Sequence, residues 1–447
     1  MADATRFSEL TTLKVGGPIR RLVSASTQRD LVDLATEAWA AGEPWLALGG
    51  GSNLLVGDDG FDGTVIRVAT RGIEVLAPDE PAREPTDEPT QEDAATAPAD
   101  ERPGAASLRS PASQPSRRFA TRRNRPPWAQ AQGGAVRLRV QAGENWDDLV
   151  AWTVEHGYSG IEALSGIPGS VGAAPVQNIG AYGQELESTL VAIEFLDEGA
   201  DAPRRMTADE LELGYRTSVL KRGLRGIVIS VDLDLHDTSV ERAVLGEALG
   251  QPIAYAQLAD ALRVNLGDRV PIGRVREAVL ALRRSKGMVL DPDDPDSTSA
   301  GSFFTNPIVT ERIGRTLPGD APRWYLEEEQ PDEITPLTGG LAESPLDEFL
   351  AHQASLEASE TVTDAAPTEA LVKLSAAWLI ERAGIRRGFA VPGSRAAISS
   401  KHTLALTNRG GATAEELAQL ARFVQSRVQS EFGIMLQPEP VLIGVEL

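Results

Sequence analysis

The sequence of 447 residues contains no cysteine. Disulfide bonds, thiolate metal sites, cysteine nucleophiles and prosthetic groups tethered through cysteine are therefore excluded. The four histidines (His156, His236, His352 and His402) are scattered without the spacing of metal ligands, so no metal is expected. No apolar run approaches the roughly 20 residues of a membrane span, and the first residues lack the pattern of a secretory signal. These absences predict a cytoplasmic protein without a membrane segment.

Lysine is scarce as well: only five of the 43 basic residues are lysines, namely Lys14, Lys221, Lys286, Lys373 and Lys401. One interpretation is codon bias in a GC-rich genome. The other is that some of these positions require a compact, flexible ammonium group instead of the planar guanidinium fork. The formal net charge of -22 argues against nucleic acid as a main partner, because phosphates repel such a surface.

The first part of the chain predicts a β-α-β unit that ends in a glycine-rich turn. Residues 11–25 lead into a strand, and Thr27 with Asp30 three residues later is typical of a helix start. The apolar run Trp45–Leu48 predicts a buried strand that continues directly into the glycines. Gly63–Val68 predicts the next strand.

Periodicity predicts further elements along the rest of the chain. The expected strands lie at 136–140, near 190–196 and 226–235, and at 441–445, and the expected helices at about 146–156, 273–285, 373–383 and 414–432.

Two insertions interrupt this pattern. Residues 79–127 hold nine prolines; 79–101 carry nine acids and one arginine, and 102–125 carry seven arginines and no acid. Residues 318–370 carry thirteen acids and one arginine. Such composition cannot bury enough apolar surface to order a chain. The sequence therefore predicts disordered or mobile insertions at about 79–130 and 318–370.

A glycine loop of five residues follows the buried strand: Gly49, Gly50, Gly51, Ser52 and Asn53. Consecutive glycines allow successive backbone N–H groups to point toward one phosphate. No amphipathic helix follows, so the loop is not the dinucleotide fingerprint of the Rossmann fold. A plain turn between two strands is the alternative, but three glycines exceed what a turn requires.

A second loop, at 165–183, is long, uncharged and rich in glycine. Ser165, Ser170, Gln177 and Asn178 offer hydrogen bonds to a planar heterocycle, and the glycines allow close approach of the backbone. A structural Ω-loop is the alternative. The length of the loop favours a face against a large cofactor.

Three single residues are candidates for chemistry. Arg216, beside an aromatic residue and small hydroxyls, is a plausible carboxylate clamp, although a surface ion pair is the simpler interpretation. Ser302, between glycine and two phenylalanines, would deliver a proton if a partner tuned it, and is otherwise a buried packing serine. Glu439, between two prolines, is either a general acid or charge stabiliser, or an exposed residue at a strand edge.

Together these segments resemble the UDP-N-acetylenolpyruvoylglucosamine reductase family. The resemblance rests on five strings that occur in the family's order: "LGGGSNLL", "SGIPGSVGAAPVQNIGAYGQE", "YRTSVLK", "SAGSFFTNP" and "LQPEPVLIG".

The resemblance implies an α+β protein. Its FAD-binding region, of the PCMH or vanillyl-alcohol-oxidase type, would cover residues 1–236. An α/β substrate-binding domain would cover 237–436, and a terminal strand carrying Glu439 would cover 437–447. It also implies non-covalent FAD, NADPH as the reductant and a nucleotide-sugar substrate. A hydride would reach C3 of the enolpyruvyl group and a proton would reach C2, giving UDP-N-acetylmuramate. We expect a monomer.

The resemblance also implies roles for residues. Ser302 would donate the proton to C2, and Arg216 with Glu439 would polarise the enolpyruvyl carboxylate. The substrate would be bound by Tyr255, Lys286, Asn306 and His402. The cofactor would be bound by Gly49, Gly50, Gly51, Ser52, Asn53, Ser165, Ile167, Pro168, Gly169, Ser170, Gly172, Asn178, Gly180, Ala181 and Tyr182.

Two other functions remain open. One is a flavin oxidase or dehydrogenase of the same fold that acts on an alcohol or hydroxy acid. Many such enzymes link the flavin covalently through a histidine near the glycine loop, and this loop contains none. The other is a non-catalytic nucleotide-sugar sensor, which would not need Arg216, Ser302 and Glu439 together.

Overall fold

A computed structural model describes residues 5–76, 134–326 and 370–447. Helices and sheets are mixed in it. The strands are β1 (Ile19–Ala25), β2 (Trp45–Leu48), β3 (Leu54–Val56), β4 (Phe61–Val68), β5 (Ile73–Leu76), β6 (Ala135–Gln141), β7 (Tyr158–Ser159), β8 (Gly180–Ala181), β9 (Gln184–Glu185), β10 (Leu190–Asp197), β11 (Arg204–Thr207), β12 (Gly226–Asp237), β13 (Ile308–Thr310), β14 (Arg323–Leu326), β15 (Leu371–Leu374), β16 (Ala396–Ile398), β17 (Leu406–Asn408) and β18 (Val441–Ile443). The α-helices are α1 (Gln28–Ala40), α2 (Trp146–His156), α3 (Ser239–Leu245), α4 (Ala256–Leu262), α5 (Ile272–Ser285), α6 (Glu311–Thr316), α7 (Ala376–Arg382) and α8 (Ala414–Phe432).

The predicted β-α-β unit is confirmed. Strands β1 and β2 both pair in parallel with β4, and α1 connects them. Thr27 and Asp30 form the expected capping box at the start of α1. The helix buries Leu31 and Ala35 against Ile66 of the sheet. The glycine loop is therefore held at the carboxyl end of a packed parallel strand.

The largest sheet is antiparallel, with the strand order β11-β10-β12-β6-β5. Helix α2 packs against it through Leu149 and Val150 and ends at Gly157, whose φ of 78° lies in the left-handed region that glycine adopts most easily. This helix is confirmed at the predicted residues. The sheet and α2 support the second loop, because Val171 and Gly172 donate backbone hydrogen bonds to Glu144 and Ala142.

The C-terminal part contains small sheets and the long helix α8. Thr413 and Glu416 form the predicted capping box, and the carboxylate of Asp58 accepts hydrogen bonds from the N–H groups of Ala414 and Glu415. Strand β18 pairs in parallel with β3. This pairing brings the end of the chain beside the glycine loop, although the two lie far apart in the sequence.

Two boundaries predicted from the sequence are wrong. The helix expected at 373–383 begins at Ala376, because 371–374 form the central strand of the sheet β13-β15-β14. The second insertion was expected to begin at about 318, but 323–326 form β14, which pairs with β15. Ala321 is buried, and Arg323 donates hydrogen bonds to the carbonyl groups of Leu317 and Ala321. Hydrogen bonds from an arginine to backbone carbonyls do not depend on apolar periodicity. The periodicity of the sequence therefore could not predict that these residues are ordered. The rest of both predicted insertions lies outside the described residues.

Within residues 5–76, 134–326 and 370–447, no helix is long and apolar enough to cross a membrane. The same residues contain no group of three or more histidine and acidic side chains arranged to hold a metal ion.

Candidate active site

A cavity of about 780 Å³ lies where the glycine loop, the second loop and the C-terminal part of the chain meet. It lies within the size range of small-molecule and cofactor sites. Its wall includes Arg216, Ser302 and Glu439, which come from three distant parts of the sequence. The predicted substrate residues Tyr255, Lys286, Asn306 and His402 line it as well.

The glycine loop lines one side of the cavity along its whole length. None of the backbone N–H groups of residues 49–53 donates a hydrogen bond to any described residue. Gly51 has a φ of 61°, and loops with such a left-handed residue and with amides free of protein acceptors are able to bind phosphate oxygens. The amides are therefore available to an anionic ligand.

The glycines also allow the loop to pack closely on the second loop. A Cβ on Gly50 would lie 2.7 Å from the Cα of Gly169, and a Cβ on Gly49 would lie 2.3 Å from the Oγ of Ser170. The Ser52 hydroxyl donates to the carbonyl of Pro168 over 2.9 Å. The two loops thus form one continuous wall.

Most of the second-loop residues predicted to bind a cofactor line the cavity: Ile167, Pro168, Gly169, Ser170, Gly180, Ala181 and Tyr182. Ser165, Gly172 and Asn178 lie behind that wall. The Ser165 hydroxyl donates to the carbonyl of Glu162 over 2.6 Å, and the Asn178 amide bonds to Glu187 and Gly214. These three residues hold the shape of the loop.

Arg216 and Glu439 form an ion pair at the cavity, with 3.2 Å between Nε and Oε1. The guanidinium also donates to the carbonyls of Asn178 (3.2 Å) and Gly180 (2.7 Å). Arg216 has a φ of 55°, a left-handed backbone that costs energy for a residue with a side chain. The surrounding contacts therefore fix a strained arginine in one position.

Glu439 is surrounded by polar groups from other elements. The Gln177 amide donates to its carboxylate over 3.2 Å, and Asn53 and Lys221 donate to its backbone carbonyl, each over 3.3 Å. Burial raises the pKa of Glu439 above its usual value, although the charges of Arg216 and Lys221 act in the opposite direction. A carboxyl group in this position is able to change its protonation closer to neutral pH than an exposed one.

Ser302 is brought to the same place by backbone pairing. The N–H of Glu439 donates to the carbonyl of Phe303 over 2.8 Å, and Phe304 forms a β-bridge with Pro438. Ser302 is partly buried, and its hydroxyl makes no hydrogen bond to any described residue. It is therefore available to bond to a ligand in the cavity.

The more open side of the cavity carries aromatic and cationic groups. Tyr182 and Tyr255 meet edge to face with 5.7 Å between ring centroids, and the Lys286 ammonium lies 5.3 Å from the Tyr182 ring.

The Asn306 carboxamide oxygen accepts from the N–H of Ala376. Burial, assisted by the charge of Lys286, lowers the pKa of His402 to about 4, so that its ring is neutral at pH 7.

Several lining residues were not assigned a role from the sequence: Glu185, Tyr215, Lys221, Arg283 and Lys373. The Lys373 ammonium lies 3.9 Å from the centroid of the Tyr215 ring. Burial lowers the pKa of Lys221, Lys286 and Lys373. Three of the five lysines thus line one cavity, which favours the functional interpretation of their rarity.

Known proteins that resemble this chain identify the class of protein to which it belongs. Residues 130–201 match the model of an FAD binding domain. The unpaired amides of residues 49–53 and the size of the adjoining cavity fit such a cofactor. The chain is thus an FAD-binding protein of mixed helix and sheet structure.

The family follows from closer relatives. Residues 293–443 match the C-terminal domain of UDP-N-acetylenolpyruvoylglucosamine reductase. A protein of that name from Leifsonia xyli is 53% identical over 100% of both chains, and another from Thermobifida fusca is 40% identical over 99% of this chain and 97% of that relative. The crystal structure of the reductase from Thermus caldophilus, 23% identical, shares the fold with a TM-score of 0.51 and covers 98% of this chain and 97% of its own. The chain belongs to the UDP-N-acetylenolpyruvoylglucosamine reductase family.

Proposed function

We propose that this protein catalyses the NADPH-dependent reduction of UDP-N-acetylglucosamine enolpyruvate to UDP-N-acetylmuramate, a step of peptidoglycan precursor synthesis. The observation that carries the proposal is the meeting of Arg216, Glu439 and Ser302 at one cavity that the unpaired amide nest also lines. Membership in the family supplies the reaction.

Residues 49–53, with Ile167, Pro168, Gly169, Ser170, Gly180, Ala181 and Tyr182, would hold FAD. Their backbone amides suit the diphosphate, and the uncharged second loop suits a flat ring. Ser165, Gly172 and Asn178 would support the cofactor through the shape of the loop. When bound, FAD supplies the hydride that adds to the enolpyruvyl group.

Arg216 would bind the carboxylate of the enolpyruvyl group. Addition of hydride places negative charge on C2 and this carboxylate, so a fixed cation lowers the barrier. A preorganised group of this kind contributes about 3–4 kcal/mol. Glu439 would orient Arg216 through the 3.2 Å contact and balance its charge before substrate arrives.

Ser302 would deliver the proton to C2. Its hydroxyl is unbonded within the described residues and lies on the loop that pairs with the Glu439 segment. Positioned proton transfer accelerates reactions by about 10²–10⁴-fold.

Tyr255, Lys286, Asn306 and His402 would bind the nucleotide sugar, with Lys373 as an additional cation. A partly desolvated ammonium is a suitable point contact for a flexible diphosphate. The neutral ring of His402 offers one donor and one acceptor to a sugar hydroxyl. We further propose that the enzyme acts in the cytoplasm as a monomer.

The two alternatives are tested directly. An oxidase with covalent flavin predicts that the yellow colour stays in an acid-precipitated pellet, whereas our proposal places it in the supernatant. A sensor would not consume NADPH when the enolpyruvyl nucleotide sugar is added.

The decisive variant is Ser302→Ala. We expect reduction of the bound FAD by NADPH at the wild-type rate in stopped flow, because that step requires no proton on C2. Turnover of the enolpyruvyl substrate should fall by about 10²–10⁴-fold. Thr305→Ala, a neighbouring hydroxyl deletion on the same loop, serves as the control and should retain turnover. A near-normal kcat for Ser302→Ala would remove Ser302 from the mechanism.

A further inference from the structure

Lys373 is a cavity cation whose ammonium group has no hydrogen-bond acceptor among the residues that the structure describes. It lies on β15, the central strand of a three-stranded sheet. Its neighbours Val372 and Leu374 are buried in the core, so the Lys373 side chain leaves the opposite face of the sheet and reaches the cavity. A partly buried cation without an acceptor is unfavourable, so this position suits an anionic ligand.

The Lys373 ammonium differs in this from the other cations of the cavity. Each of the others donates to an oxygen atom of the protein: Arg216, Lys221, Arg283 and Lys286. Lys373 instead lies over the face of Tyr215, with 3.9 Å between the ammonium nitrogen and the ring centroid. An aromatic face attracts a cation through its quadrupole but offers no lone pair to the N–H groups. These N–H groups therefore remain available to a ligand.

The Tyr215 ring is itself fixed by contacts with other residues of the cavity. Its hydroxyl accepts a hydrogen bond from the N–H of Asn306 over 3.4 Å, and the Arg216 guanidinium lies 5.6 Å from the ring centroid. Burial raises the pKa of Tyr215, so the ring is uncharged at neutral pH. Tyr215 thus offers Lys373 a fixed surface and no competing negative charge.

A carboxylate that is able to capture Lys373 lies on the same cavity. Burial lowers the pKa of Lys373, and the charge of Glu185 acts in the opposite direction. The two side chains nevertheless form no ion pair, and the Glu185 carboxylate has no hydrogen-bond partner among the described residues. An ion pair with Glu185 would occupy the ammonium group that an anionic substrate needs.

We propose that Tyr215 is a positioning residue, whose ring holds the Lys373 ammonium away from Glu185 and ready to bind the diphosphate of the nucleotide sugar. This rests on the proposed function, which supplies the anionic substrate, and it adds a residue to which that function assigns no role. An ion pair with Glu185 would have to break before substrate binds, whereas an ammonium on an aromatic ring keeps its N–H groups open. The ring therefore preorganises the cation.

The first test observes Lys373 directly and requires no activity. The chain has five lysines, so protein labelled at the lysine Cε gives five side-chain signals in an NMR spectrum, and Lys373→Met identifies one of them. Protons above an aromatic face shift upfield. We expect the Lys373 signal upfield of that of exposed Lys14, with the shift lost in Tyr215→Leu and kept in Tyr215→Phe. A wild-type Lys373 signal without this shift overturns the proposal, even if Tyr215→Leu does not fold.

The second test measures binding of the enolpyruvyl nucleotide sugar through the absorbance of the bound FAD. We expect Tyr215→Leu to raise Kd and KM by about 10- to 100-fold, the effect of losing a hydrogen bond to a charged group. The change in kcat should be much smaller, and Tyr215→Phe should restore binding because it keeps the ring. Tyr325→Leu is the control, since Tyr325 lies on β14 of the same sheet, is 59% exposed and does not line the cavity. A fall in kcat at unchanged KM overturns the proposal.

Two combinations of variants separate positioning from a purely structural role. In Tyr215→Leu, Glu185 is expected to capture Lys373, so adding Glu185→Gln should recover most of the lost affinity. In the Lys373→Met background, Tyr215→Leu should have no further effect on Kd. No recovery with Glu185→Gln, or an equal loss with and without Lys373, overturns the proposal. Failure of the proposed function would be seen separately, as wild-type protein with an upfield Lys373 signal that neither binds nor reduces the enolpyruvyl nucleotide sugar.

Discussion

Acidification should destabilise this protein through one side chain, His402. Burial, and then the charges of Lys286 and Arg387, lower its pKa from 6.5 to about 4. The folded protein therefore binds fewer protons at this site than the unfolded chain. The resulting stability is present above pH 6.5 and is lost as the pH falls toward 4.

The magnitude follows from the shift. At 1.36 kcal/mol per pKa unit, the full effect is about 3 kcal/mol. Roughly 2 kcal/mol of it should already be lost at pH 5, because the unfolded histidine is then almost fully protonated while the folded one is not.

The assay is urea unfolding at pH 7 and pH 5, with FAD at a fixed saturating concentration. Other groups also titrate in this range, so the informative quantity is a difference between proteins. Wild type should lose about 2 kcal/mol more free energy of unfolding than His402→Gln over this interval. Thr305→Ala, which changes no titrating group, should lose as much as wild type. Equal losses in wild type and His402→Gln would refute the reasoning.

Two further predictions concern the walls of the cavity. Lys221→Met should move the acid limb of the pH profile of kcat/KM to higher pH, because the lysine charge lowers the pKa of Glu439 and its removal lets that pKa rise. Lys221→Arg should keep the limb in place, and an unmoved limb in Lys221→Met would show that the lysine does not act on Glu439. Gly50→Ala should weaken FAD binding at least tenfold, measured by fluorescence titration, since its Cβ would lie 2.7 Å from the Cα of Gly169. Gly273→Ala, on an open helix position, is the control and should bind FAD normally.

Local patterns in the sequence predicted local structure well. Both capping boxes, at Thr27 and at Thr413, formed as expected, and α2 ended at Gly157. Each of these features depends on residues within one or two helical turns of each other. All the interactions that determine them therefore lie within a short stretch of sequence.

The assembly of the site could not be predicted from local sequence patterns. Glu439 reaches the glycine loop because β18 pairs with β3, and Ser302 reaches Glu439 through the bridge between Phe304 and Pro438. No short window contains either pairing. The sequence offered only isolated candidates there, and their joint role came from the resemblance to a family.

Composition carried more information than periodicity at the cavity. In an arginine-rich chain, Lys221, Lys286 and Lys373 stood out, and they line one cavity. The same signal also marked Lys401, which forms an ion pair with Asp294, so rarity alone does not separate a site residue from a structural one.

Arg283 shows which sequence signal was missed. Val275, Val279 and Arg283 are spaced four residues apart, so they share one face of α5, and all three are buried. A charged residue on the apolar face of an amphipathic helix is unfavourable unless something satisfies it. The amino-acid order alone reveals that conflict, because the spacing places the charge on the apolar face. Charges that break an apolar stripe are therefore candidates for ligand contacts.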